Sequence, residues 1–241
     1  MTEATTSQPS VTQPNPGLLT RLIGVLFSPR EMFAAIVARP KWLGAVTVVG
    51  LIMGGATFAQ LSTDIGKELA LDQQVSAIEA FGVTISDEQY AQMEQRMENA
   101  RYTSPIFTII AIPVFMTISA GILHLMFGLI GGGNGTYKQV YSISAHTSII
   151  SALQLVFTII VTLAAGRSAG ANLSVFTPTL EDTTFAYKFL SYIDLFYVWS
   201  TFITAVGLGV LYKRRTGPIA MVLFGIYFVI AAIIAYVASG S

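Results

Sequence analysis

The chain is 241 residues long, 53% hydrophobic and only 11% charged. A soluble globular protein carries roughly 25% charged residues, so composition excludes an ordinary water-soluble domain, and the mean hydropathy of +0.65 agrees. Lys plus Arg and Asp plus Glu both number 13, which leaves no basic field to hold nucleic acid. The absence of cysteine removes disulfides, thiolate catalysis and cysteine-ligated metal centres.

Residues 1–16 are polar, rich in Ser, Thr, Gln and Pro, and read as a disordered tail rather than a signal peptide. Residues 17–41 follow as two helices. Leu18, Leu19, Leu22, Ile23, Leu26 and Phe27 recur at helical spacing. Ser28-Pro29-Arg30-Glu31 then offers a capping box with proline at the first helical position. Met32, Phe33, Ile36 and Val37 share the next face, and Arg39-Pro40-Lys41-Trp42 ends the segment. The pattern predicts an amphipathic helix–kink–helix lying in the membrane interface, with Arg21, Arg30, Arg39, Lys41 and Trp42 at headgroup level. Packing against the mouth of a helix bundle is the alternative.

Residues 42–241 carry the membrane domain. Apolar windows near the roughly 20 residues needed to cross ~30 Å of hydrocarbon fall at about 42–61, 105–130, 139–165, 189–211 and 218–237. Backbone groups in lipid must pair internally, and the runs are continuous rather than alternating, so these are helices and not barrel strands. Placing Arg21, Arg30, Arg39, Lys41, Lys138, Lys213, Arg214 and Arg215 on one side predicts a cytoplasmic N-terminus and an outer C-terminus. The segment 63–104 has eight acidic and three basic residues. It reads as two short amphipathic helices joined near Gly82. Ile65, Leu69 and Ile78 form the stripe of the first, and a capping box at Ser86 starts the second. This acidic outer loop is either a solvated cap or a surface for a partner.

Asp194 lies about five residues into the fourth window, roughly 7 Å along the axis. A carboxylate inside a span is a functional candidate by default. It reads either as a hydrogen-bonded structural group or as an ion or proton site. His124 and His146 are the only histidines and share a depth near the basic side. Two ligands do not make a metal site, so a hydrogen-bonded pair or unrelated orientations are expected. Ser144, Thr147, Ser148 and Ser151 give span three a polar stripe that Thr158 and Thr162 extend. It serves either interhelical bonding or a polar passage. Gly50 and Gly54 form a GxxxG pair suited to close helix packing. Gly131-Gly132-Gly133-Asn134-Gly135 lacks the end of a P-loop and reads as a flexible turn. Pro113 should kink or loosen span two. No HExxH or GxGD motif is present. No catalytic set, metal or cofactor is therefore expected.

Several stretches together resemble a known family. Leu26-Phe27-Ser28-Pro29-Arg30-Glu31-Met32-Phe33 with Arg39-Pro40-Lys41-Trp42 resembles the start of bacterial members of the Yip domain family, the Ypt/Rab-interacting-protein-like membrane proteins. Gly135-Thr136-Tyr137-Lys138-Gln139-Val140 resembles that family's entry into span three. Ile193-Asp194-Leu195-Phe196 with Trp199, leading to Gly207-Leu208-Gly209, resembles its span four. The likeness runs over about residues 22–237, and His146 departs from its usual polar or aromatic occupant. It implies a five-helix bundle with a cytoplasmic N-terminus, in a bacterial inner membrane, and no reaction. The Rab link of eukaryotic relatives does not transfer to a chain with such short loops.

The sequence thus predicts an all-α integral membrane bundle of five transmembrane helices, with an N-terminal interfacial helix and an extracytoplasmic helical loop. The expected role is non-enzymatic, binding or organising other membrane components. Its partners would be the lipid bilayer and another membrane protein, with self-association open. The alternative is a small transporter or channel using Asp194.

Overall fold

The structure is a computed structural model that describes residues 16–79, 82–167 and 169–240. The polar tail predicted for residues 1–16 lies, except for Pro16, outside the described residues. The rest is helical, as the apolar windows require. Four helices are long and apolar enough to cross a membrane: Leu43–Leu61, Asp87–Ile130, Tyr137–Ala165 and Thr216–Ala238. We label them α3 (Leu43–Leu61), α5 (Asp87–Leu123, continued by a π-helical turn His124–Ile130), α6 and α7 (Tyr137–Thr147 and Ile149–Ala165), and α10 (Thr216–Ala238).

The predicted fourth window differs. It is divided into a short helix α8 (Phe185–Ser191), a turn at 192–194, and α9 (Leu195–Leu211), an apolar helix of 17 residues. Hydropathy runs continuously through the break, but the backbone does not. The loop before it folds back on the turn. Leu173 N–H donates to Ile193 O at 3.0 Å, and Leu195 N–H donates to Ala171 O at 3.0 Å.

The acidic segment also departs from expectation. α4 (Asp64–Glu79) forms, but its packed residue is Leu71, and Ile65 is 50% exposed. Ser86 makes the predicted capping box with Gln89. The helix it starts is not a short cap element. It runs without interruption into span two, because nothing between Ser86 and Pro105 stops it. The helix also continues through Pro105 and Pro113.

The N-terminal pair α1 (Leu18–Phe27) and α2 (Pro29–Ala38) has the predicted kink. Pro29 restarts the helix, although Ser28 makes no side-chain cap and the expected box with Glu31 does not form. The pair packs into the bundle rather than lying free at the interface. Val25, Phe33 and Ile36 are fully buried, within one core shared with α3, α6 and α9. The Gln139 side-chain amide fastens it by donating to Val37 O at 3.0 Å. The outer face of α1 stays apolar and open, with Leu19, Ile23 and Phe27 spaced four apart and Phe27 79% exposed.

The Gly50–Gly54 pair packs internally. A Cβ on Gly54 would sit 3.0 Å from Ile109 of α5 and 3.5 Å from Pro105 O. Small residues let these two backbones approach. The glycine run 131–135 is a packed turn, not a loose one. Side chains at Gly133 or Gly135 would strike Tyr212 and Leu211 at the end of α9, and Arg214 donates to Gly131 O. Turns 131–136 and 212–215 therefore meet on the same face as α1 and α2. We call this the basic face.

Candidate functional site

A cleft opens between α5, α6–α7 and α9, with Met53 of α3 also lining it. Its floor is the polar stripe Ser144, Thr147, Ser148 and Ser151, at i, i+3, i+4 and i+7 on one helix face. One wall is α5, with Phe107, Thr108, Phe115 and Ser119, and the other is α9, with Tyr197, Ser200 and Thr204. The cavity measures about 520 Å³, and no residue lining it carries a formal charge. α5 and α9 flank the cleft without forming a substantial packing contact with each other, so it is open between them.

Part of this hydroxyl surface is satisfied locally. Ser148 donates to Ala145 O at 2.9 Å and Ser200 to Tyr197 O at 3.1 Å, the usual return bond of a helical serine. Ser144 Oγ and Thr147 Oγ1 are buried without a partner, and Thr147 is only 4% exposed. A buried hydroxyl with no partner in a low-dielectric setting is destabilising by about 1–3 kcal/mol. The stripe does not continue outward as the sequence suggests. Thr162 instead exchanges two bonds with the Ala169 backbone, at 3.1 and 3.2 Å, and closes the loop after α7.

Asp194 does not sit within a helix. It is the N-cap of α9, where Oδ1 accepts from the backbone N–H of Phe196 at 2.7 Å and of Tyr197 at 3.3 Å. Its own N–H donates to Tyr227 Oη at 3.1 Å, and that hydroxyl donates to Tyr192 O at 2.7 Å. The carboxylate is thereby committed to capping the start of α9, while the Asp194 backbone N–H ties that turn to Tyr227 of α10. An aspartate directly before an apolar helical run is the usual N-cap pattern, which the position of Asp194 within the window concealed.

The two histidines have different neighbours. His146 is fully buried and its Nδ1 bonds Ser142 O at 2.8 Å, while Nε2 has no partner. His124 lies edge-on to Tyr137, with ring centroids 6.2 Å apart, and the missing side chain of Gly128 gives space to its Nδ1 and to Tyr212 Oη. Among the described residues no group of three His, Cys, Asp or Glu stands close enough to hold a metal.

The predicted headgroup residues separate into two sets. Arg30, Arg39 and Lys41 are exposed. Arg21 is set apart from them. It is 7% exposed, on the inward face with Leu22 and Val25. Trp42 is half-buried and packs edge-on against Tyr141, with centroids 5.1 Å apart.

This architecture, a bundle of apolar helices gripped at one face by an N-terminal helix pair, belongs to a multi-pass integral membrane protein. The profile of the Yip1 domain matches residues 23–238, and the chain is a member of that family. It is similar to membrane protein YknW of Bacillus subtilis (strain 168), at 26% identity over 212 residues, covering 86% of this chain and 87% of YknW. No solved structure matches it.

Proposed function

We propose that this Yip-domain protein is non-enzymatic and binds or organises other membrane components. In this reading it crosses a bacterial inner membrane five times, with its basic face in the cytoplasm and its C-terminus outside. α9 then counts as a crossing. It rises about 26 Å at ~1.5 Å per residue, against ~30 Å of hydrocarbon, and the folded-back loop at 171–173 extends its end. Eight of the 13 Lys and Arg residues lie on the side assigned to the cytoplasm, which supports that orientation.

The observation that carries the reading is the uncharged, hydroxyl-floored cleft open between α5 and α9. A transmembrane helix of a partner protein, bearing Ser, Thr, Asn or Gln at that depth, would satisfy Ser144 and Thr147 and fill the gap between α5 and α9. Nothing in the cleft supplies an acid, base or nucleophile in mutual reach, which favours a contact surface over a reaction centre.

The test is gentle extraction of the wild-type protein and of Ser200→Leu, which narrows the cleft mouth, with quantification of co-purifying membrane proteins. We expect a stoichiometric partner that falls at least tenfold in the variant. An unchanged partner would place the contact elsewhere. The second reading, a small transporter, draws on the same hydroxyls. Solute flux in liposomes holding only this protein, abolished by Asp194→Asn, would favour it.

A further inference from the structure

A second cavity opens on the basic face, about 430 Å³ in volume and lined by Arg21 of α1, Lys41 and Trp42 ahead of α3, and Lys138 at the start of α6. Three cations thus converge from three separate elements. Arg21 is the deepest, 7% exposed, and its Nε has no hydrogen-bond partner. The only ion pair among the described residues is Lys67–Asp64, far along the chain in α4. Glu31 is the only described carboxylate on this face, and it lines a different hollow beside Arg30. A buried guanidinium without a counter-charge is expensive, so the arrangement is incomplete without an anion.

We propose that this pocket holds the phosphate of an anionic phospholipid, such as phosphatidylglycerol or cardiolipin. The depth selects a lipid over a free ion. Trp42 immediately precedes the apolar helix α3, which sets the pocket at headgroup level. Leu18 and Leu43 line the same pocket, and Leu43, 65% exposed at the start of α3, gives the acyl chains an apolar surface beside it. Basic pockets between transmembrane helices bind anionic headgroups by this chemistry. Arg21 supplies the directed donor and the two lysines supply mobile charge. The site requires only that the chain lies in a bilayer, and stands whether or not the cleft binds a partner.

The full-length protein, reconstituted in nanodiscs of phosphatidylcholine with and without phosphatidylglycerol, is extracted, and retained lipid is read by native mass spectrometry. The expected result is selective retention of phosphatidylglycerol, reduced about tenfold by Arg21→Gln and about fivefold by Lys41→Gln or Lys138→Gln. Both lysines are exposed, so these variants keep the test valid if Arg21→Gln fails to fold. Excess inorganic phosphate should leave the bound lipid in place. Equal retention of both lipids, retention unaffected by every variant, or displacement by inorganic phosphate would overturn the proposal.

Discussion

Phe33→Ala is expected to release the N-terminal helix pair from the bundle and to destabilise the protein by about 3–5 kcal/mol. The ring is fully buried and lies where α2 crosses α9. It fits there because position 207 is glycine. A Cβ on Gly207 would stand 3.2 Å from the Phe33 ring and 2.6 Å from Ile143. Removing the ring leaves a void between α2, α6 and α9, which all pack on one another, so little of it can close. Phe33→Leu retains most of the volume and should change stability by less than about 1.5 kcal/mol. Proteolysis of detergent-solubilised protein between Ala38 and Leu43 reads the difference. Rapid cleavage of the alanine variant with the bundle intact is the expected pattern. Wild-type protection would mean that Phe33 does not anchor the pair.

The second large effect concerns Asp194. Asp194→Ala should lower stability by about 1–2 kcal/mol, because two backbone N–H groups at the start of α9 lose their acceptor. Asparagine caps a helix nearly as well, so Asp194→Asn should lie within a few tenths of wild type. Thermal unfolding in detergent, followed by the fluorescence of Trp199 one turn along α9, separates the two substitutions. Equal damage from Asn and Ala would show that the charge itself matters, and would return Asp194 to consideration as an ion or proton site.

The two substitutions mark what could be read from sequence. The first, third and fifth windows, at 42–61, 139–165 and 218–237, fall within two residues of α3, α6–α7 and α10, because long uncharged apolar runs have one solution in lipid. The fourth window, 189–211, reaches back past the start of α9 into α8. Phe189 and Leu190 are as apolar as the helix that follows, and a hydropathy window does not register a change of backbone direction at 192–194. The N-cap signature of Asp194 was available but competed with its apolar surroundings. The second window was right for its apolar part. Composition assigns its polar prelude from Ser86 to a separate element, since it changes near Ser104 while helical geometry does not.

The sites follow the same division. The stripe Ser144, Thr147, Ser148 and Ser151 is visible as a spacing, and the structure gives it a cavity. Which helices form the walls was not legible, because pairing of α5 and α9 across a gap is a tertiary result. Charge alone groups Arg21 with Arg30, Arg39 and Lys41. Its register told otherwise: Leu18, Arg21, Leu22 and Val25 occupy i, i+3, i+4 and i+7, one face of α1. That face is the one that meets the bundle.

The most direct test of the central claim is site-specific photocrosslinking in native membranes, comparing a crosslinker at Ser200, on the α9 wall of the cleft, with one at Ile233, on the exposed face of α10. The account predicts a discrete protein adduct from Ser200 that is absent from Ile233. Lipid adducts alone, identical at both positions, would contradict it.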